Sequence, residues 1–198
     1  GGTFIAQNKV LPGAYINFIS VSKATATLSD RGFAAMGLEL DWGQDGQIFE
    51  VTQGDFQKDS MKIFGYSYAD DKLKGIREMM SKLKTLYAYK LTSGGEKASN
   101  KFATAKYCGV RGNDIKIAIQ ANVDDNSLFD VQTILDTTIV DVQVVAKATD
   151  LATNDYVAFK TDVALEITAS TPLTGGTNGT ADAAAHQAFL DKIESYPS

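Results

Sequence analysis

Cysteine and histidine each occur once, as Cys108 and His186, and that scarcity removes whole classes of chemistry before any motif is read. One cysteine rules out a disulfide within the chain, and one histidine rules out a histidine metal cluster. Basic charge is also short. The 19 Lys and Arg against 24 Asp and Glu give a formal net charge of −5, so no positive field exists to attract nucleic acid or an anionic membrane. No apolar run approaches the length of a membrane span, and no basic segment followed by an apolar one opens the chain. These features predict a cytoplasmically made, unexported polypeptide. Internal repeats and low-complexity tracts are missing too. With 198 residues, 44% hydrophobic and 22% charged, the composition is that of an ordinary globular protein, able to bury a core in one large domain or two small ones.

What is present is most informative at the start, where residues 1–21 read GGTFIAQNKVLPGAYINFISV. Tyr15, Phe18, Ile19 and Val21 crowd together after Pro12-Gly13, ahead of any recognisable hairpin partner or helix. Chain termini are ordered only where something ties them down. An extended apolar terminus is satisfied by pairing with an exposed sheet edge, which in this reading belongs to another molecule. The segment therefore points to assembly rather than catalysis. Residues 22–30, SKATATLSD, are small and polar and suit a flexible linker.

Beyond the linker, Met36, Leu38 and Leu40 alternate with Gly37, Glu39 and Asp41, predicting a strand over 33–41, closed by turn residues 43–46. A short strand is read at 49–52. A helix follows over 55–64, capped by Thr52 with Asp55 and stopped at Gly65. Leu73, Ile76, Met79, Met80 and Leu83 recur at helical spacing and predict a helix over 70–83, with Asp70 and Asp71 at its N-terminal dipole. A strand at 85–91 then completes a β-α-β unit with parallel strands. After Gly94-Gly95 the pattern changes to strands at 103–108, 115–121, 129–135, 138–146, 156–159 and 163–169, the last with the cleanest alternation. A helix returns over 180–194 with Ala184, Phe189, Leu190 and Ile193 apolar. The fold class read from this order is α+β: an α/β core with a mixed or parallel sheet, incomplete in this chain, plus an inserted antiparallel β domain. The divisions are an arm and linker at 1–30, the core at 31–95 with 173–198, and the insert at 96–172.

No residue is assigned a catalytic, cofactor-binding or metal-binding role. The glycine-rich loop Thr174 to Thr180 opens a helix, as phosphate cradles do. It lacks the Lys and hydroxyl residue of a P-loop, and Asp182 would repel phosphate, so it reads as the return from the insert. Asp124-Asp125-Asn126 lacks the central Gly and bidentate Glu of a calcium loop. Cys108 and Trp42 read as packing residues, and no nucleophile-elbow pattern supports catalysis by His186.

Several segments resemble one family in combination: GGTFIAQNKVLPGAYINF, LDWG, FEVTQGDF, KIFGYSYADDKLKGIREMM, KYCGVRGNDIKI, TPLTGGTNGT and AHQAFLDKIESY. The chain resembles contractile tail sheath proteins along nearly its whole length. The nearest subgroup is that of Gram-positive myophages, defective prophages and R-type bacteriocins, the diffocin-like particles of clostridia included. The resemblance implies a non-enzymatic structural subunit that polymerises in hexameric rings around an inner tube and contracts to drive it through a cell envelope. It implies no cofactor. Its partners would be other sheath subunits, the tube protein, the baseplate and a tail terminator, with neither nucleic acid nor membrane, in a phage tail or phage-tail-like bacteriocin particle. Carried onto this chain, the intersubunit arm comprises Phe4, Ile5, Val10, Tyr15, Ile16, Phe18, Ile19 and Val21, and the chain is expected to be the N-terminal, monomeric part of a longer protein. Two readings of other classes stay open: a carbohydrate or receptor-binding module with an aromatic groove in 96–172, and a small hydrolase with a pocket at His186.

Overall fold

A computed structural model describes residues 32–196 and the backbone of Ile16–Ile19. The chain forms two compact units, one from residues up to Gly94 and from Thr180 onward, the other Gly95–Gly179.

The first unit is a four-stranded sheet with helices on both faces. Its strands are β1 (Ile16–Ile19), β2 (Phe33–Leu38), β3 (Ile48–Thr52) and β4 (Thr85–Lys90), in the order β1-β2-β4-β3. Only β2 and β4 are parallel; β1 runs antiparallel to β2, and β3 antiparallel to β4. The expectation of a β-α-β unit with parallel strands is corrected: β3, the strand just before the helices, is antiparallel to β4, and the parallel partner of β4 is β2, so the crossover includes β3 as well as the helices. The alternation of β2 and β4 sorts their side chains. Met36, Leu38, Leu86 and Ala88, with Val51, face α1 (Gln53–Phe64), α2 (Lys74–Met80) and the turn before α2, where Phe56, Phe64, Leu73, Ile76 and Met80 are buried. Ala35, Tyr89 and Leu91 turn the other way and bury Phe189 of α3 (Ala183–Glu194).

Helix ends follow local chemistry. Thr52 Oγ1 accepts from the Asp55 amide at 3.1 Å, and the Asp55 carboxylate accepts from the Thr52 amide at 3.2 Å, a reciprocal box that starts α1 at Gln53. Gly65 ends it at φ 82°, donating its amide to the Met61 carbonyl, a conformation that carries no Cβ penalty in glycine. The helix expected over 70–83 is broken up. Asp70 caps a 3-10 turn, Asp71–Leu73, and only then does the seven-residue α2 begin. Leu73, Ile76 and Met80 stay on the buried side because both helix forms return a side chain to one face within three or four residues. On α3 the buried alanine is Ala185, while Ala184 is exposed.

The second unit is all β. Strands β6 (Ile115–Ala121), β7 (Phe129–Leu135), β8 (Thr138–Val145) and β10 (Thr168–Pro172) form an antiparallel sheet in the order β10-β6-β7-β8. Strands β5 (Ala103–Ala105) and β9 (Val157–Phe159) pair separately. Cross-strand partners Ile115/Leu135, Ile117/Thr133 and Ile119/Val131 share the buried face, and Phe102, Tyr156, Val157 and Leu173 are buried as well. The alternating stretch 163–169 is not a strand until Thr168. Val163 and Leu165 are half-buried but Ile167 is 71% exposed, and residues 163–167 belong to no strand, so the period of two marks neither a ladder nor a consistently buried side here.

Candidate assembly surface

The site expected from the sequence is the N-terminal arm. Of its residues, Ile16, Phe18 and Ile19 lie in β1, while Phe4, Ile5, Val10, Tyr15 and Val21, like the linker 22–30, fall outside the described residues. The expectation that this strand lacks a partner in its own chain is corrected for Ile16–Ile19. These residues pair with Leu38, Gly37, Met36 and Ala35 of β2 in register. The sequence signal was hidden because an antiparallel partner reached across a linker leaves no tight-turn signature. β1 is nevertheless an outermost strand. One edge is spent on β2, and among the described residues no strand pairs with the other. At the opposite border β3 is likewise outermost.

The sheet behind this edge is braced at its far end. Trp42 is 1% exposed and donates Nε1–H to the Lys62 carbonyl at 3.1 Å, tying the β2–β3 connection to α1. Lys90 is buried at the end of β4, and its ammonium reaches the Asp45 carboxylate at 3.0 Å and the Gly43 carbonyl at 3.2 Å. The Thr92 hydroxyl donates to the Leu40 carbonyl at 2.6 Å, and Tyr66 donates to Asp41. On the α3 face Tyr196 donates to Glu50 at 2.8 Å and meets Tyr87 edge-on at 5.4 Å. That hydrogen bond, then burial, pushes the Tyr196 phenol above its ordinary range; burial raises Tyr87 and Tyr89 as well, with Glu50 and Asp45 adding to it.

Several candidates for chemistry serve as structural ties. The amides of Gly176 and Thr177 donate to Asn113 and to the Glu96 carbonyl, and the Thr180 amide to the Ser93 carbonyl, so the glycine-rich loop is already occupied as a hydrogen-bonded strap. At Gly176 a Cβ would sit 2.5 Å from the Gly109 carbonyl oxygen, which explains the glycine by close approach rather than by phosphate. Asp182 is the N-cap of α3, its carboxylate accepting from the Ala185 amide at 2.9 Å. Asp125 accepts from the Ser127 side chain and amide, which lowers its pKa, in a turn closed by Asn122. Cys108 lies beyond the end of β5 and is partly exposed. Among the described residues no group of three or more His, Cys, Asp or Glu is placed to hold a metal, and no helix is long and apolar enough to cross a membrane. An open depression lies at residues 52–54 and 82–85, away from His186, and carries no carboxylate or imidazole. In the second unit Phe102 and Tyr156 are buried, while Tyr107, Phe129 and Phe159 are half-buried.

A mixed sheet carrying helices on both faces is interrupted after one helical crossover by an antiparallel β unit, and its strand order ends on β1, with no further strand paired to it among the described residues. The family model for the phage tail sheath protein beta-sandwich domain matches residues 92–178, and that for the N-terminal region of domain III of tail sheath protein Gp18 matches 31–91. The chain belongs to the phage tail sheath family. It is 37% identical over 186 residues to the phage-like element PBSX protein XkdK of Bacillus subtilis, covering 91% of this chain and 39% of that one. It is 34% identical over 217 residues to the uncharacterized protein YqbK of the same organism, covering 98% and 46%. The crystal structure of a sheath tail protein from Desulfitobacterium hafniense superposes with a TM-score of 0.76 at 38% identity, over 92% of this chain and 43% of that one. The chain thus spans less than half the length of the curated relatives it matches.

Proposed function

We propose that this chain is part of a contractile sheath subunit, one that polymerises as hexameric rings around an inner tube and shortens when a baseplate triggers it. The observation that carries the reading is the position of β1, the outermost strand of a braced sheet, reached from an apolar N-terminal segment. In this reading Phe4, Ile5, Val10 and Tyr15 extend past β1 to the sheet of a neighbouring subunit. Ile16, Phe18 and Ile19 hold the root of the arm on its own sheet, with Val21 leading into the linker. Each intersubunit backbone hydrogen bond contributes about 0.5–1.5 kcal/mol net. A short strand is therefore weak alone and strong when repeated over many subunits.

The mesh of arms keeps subunits connected while their bodies slide into larger contacts, so contraction runs downhill from a metastable extended state and needs no nucleotide. The particle is a phage tail or phage-tail-like bacteriocin, and the subunit's partners are further sheath subunits, tube, baseplate and terminator. Deletion of residues 1–15 from the full-length protein tests this. It keeps β1 on β2, so a folded, monomeric protein is expected that forms no tubes under electron microscopy. Tubes of normal length from that deletion would contradict the role given to the arm.

A further inference from the structure

The chain enters and leaves the second unit along two segments that run side by side as a ribbon. Ser93 and Thr180 exchange both backbone bonds, at 3.4 and 3.0 Å, as do Glu96 and Thr177, each at 3.1 Å, and Ser99 and Thr174, at 2.8 and 2.9 Å. In a regular antiparallel ladder such doubly bonded pairs recur at every second residue. Here they recur at every third. Each gap therefore leaves two residues on either segment outside the ladder.

The two gaps differ in what holds them. Between the Glu96 and Ser99 pairs, the Ala98 carbonyl accepts from the Ala105 amide at 2.7 Å, and Gly176 exchanges two bonds with the Asn113 side chain, so this step is fixed within the β unit. Between the Ser93 and Glu96 pairs, the Asn178 side chain accepts from the Val110 amide at 3.0 Å, and a Cβ on Gly95 would lie 2.3 Å from the Thr177 carbonyl oxygen. Gly95 and Asn178 are thereby held to the β unit too. What remains is Gly94 and Gly179, which the register of the flanking pairs sets opposite each other. Among the described residues neither makes a backbone hydrogen bond. Gly94 sits at φ 76° with open space where a Cβ would be. The boundary between the two units falls at the same level, after Gly94 on one segment and after Gly179 on the other.

We propose that Gly94 and Gly179 form a two-stranded hinge on which the β unit turns without breaking a hydrogen bond of either unit. Glycine enters φ/ψ regions closed to other residues, and a hinge needs only a few positions that absorb the dihedral change. The closed pairs on either side confine the rotation to one level, because Ser93/Thr180 belongs to the α/β unit and Glu96/Thr177 to the β unit. Two parallel tethers also limit its range, so the motion is a bend or twist and not free tumbling. Such a hinge is a property of the single subunit and does not depend on the assembly proposed above. In a sheath whose cores slide, as in that proposal, it lets the insert take a different angle in the two states.

Double electron–electron resonance on dilute full-length subunits tests this, with native cysteines replaced, Cys108→Ser included. Spin labels go on Gln57→Cys in α1 and Thr137→Cys in the β7–β8 turn, both exposed positions. Labels on Asn126→Cys and Thr137→Cys, both within the β unit, supply the width of a rigid pair. The distance distribution between units is expected to be broader than that control. In Gly94→Asn/Gly179→Ala it is expected to narrow, since asparagine holds a φ near +76° but explores less of the map than glycine does. Should the double variant fail to fold, Gly94→Asn alone gives the same reading, because it fits the native turn. A parent distribution as narrow as the control overturns the proposal. So does a broad one that the substitutions leave unchanged, which would place the motion elsewhere.

Discussion

The two units hold their cores by different means. The α/β unit places large side chains between sheet and helix, with Phe56, Phe64, Leu86 and Met36 almost wholly buried and aromatic rings meeting at 5.8 Å and 5.1 Å around Phe56. The β unit buries mostly branched and small residues and closes its rims with polar side chains. Arg111 is buried and makes paired bonds to Asp136 at 2.9 and 2.8 Å and another to Asp114 at 2.9 Å. Asn113 exchanges two bonds with the backbone of Gly176, at 2.9 and 2.8 Å, and Asn100 and Asn154 each tie turn backbone. A helix-covered sheet excludes water by bulk. The β unit satisfies the backbone at its turns one group at a time.

The sharpest way to break this comparison is to remove bulk from one unit and watch the other. Phe56→Ala is expected to cost the α/β unit about 3–5 kcal/mol, read as a lower urea midpoint for exchange of its protected amides. Amides of Ile117 and Val131 in the β unit are expected to keep their protection. Equal loss in both units would show that they unfold as one, and the contrast drawn here would not stand.

The converse change attacks the polar rim. Arg111→Met is expected to destabilise the β unit by about 1–3 kcal/mol, because Asp114 and Asp136 keep solvent access and are not left as buried charges. Arg111→Lys is expected to recover only part of this, since an ammonium does not reproduce the two-pronged contact to Asp136. Urea melts followed on the β unit distinguish these outcomes. Full recovery by lysine would mean that charge alone matters there.

Glycines of the return strap sharpen the same point at a smaller scale. Gly176→Ala is expected to cost about 1–3 kcal/mol, because its Cβ meets the Gly109 carbonyl at 2.5 Å and Asn113 at 3.0 Å. Its neighbour Gly175, at φ 83° with open space around it, is expected to accept Asn at about 1 kcal/mol or less. Thermal melts of the two variants make the test, and equal effects would remove close packing as the reason for the second glycine.

The contrast also explains what the sequence revealed. Strands at 115–121 and 129–135 were legible to the residue, since alternation and turn residues agree there. The capping box at Thr52 and Asp55 and the stop at Gly65 were legible because each is a local signal. The Arg111, Asn113 and Asn154 ties were not, because their partners lie 25, 63 and 21 residues away and polar residues carry no periodicity. The broken helix at 70–80 was missed for the opposite reason: apolar spacing reports which side is buried and not whether the turn is 3-10 or α. For the assembly surface, the sequence marked the apolar segment but not the partner of Ile16–Ile19, which depends on sheet order.

The smallest expected effect concerns pH and lies wholly in the α/β unit. Tyr87, Tyr89 and Tyr196 have phenols whose pKa values are raised in the folded protein. A raised pKa means the folded state keeps a proton that the unfolded chain releases near pH 10. The associated stability is complete below that pH and is lost as pH climbs from there through the folded value. Tyr196 does this through its bond to Glu50 on an exposed surface, so Tyr196→Phe is expected to cost at most about 0.5 kcal/mol at neutral pH. The informative reading is the slope. The variant should lose stability more gently above pH 10 than the parent chain, since one fewer phenol resists ionisation, while Tyr87 and Tyr89 keep most of the alkaline decline in place. A variant with an unchanged alkaline slope would mean that the Tyr196–Glu50 bond is not held in solution, leaving apolar contacts such as Leu190, Ile193 and the Tyr87–Tyr196 ring pair to hold the end of α3.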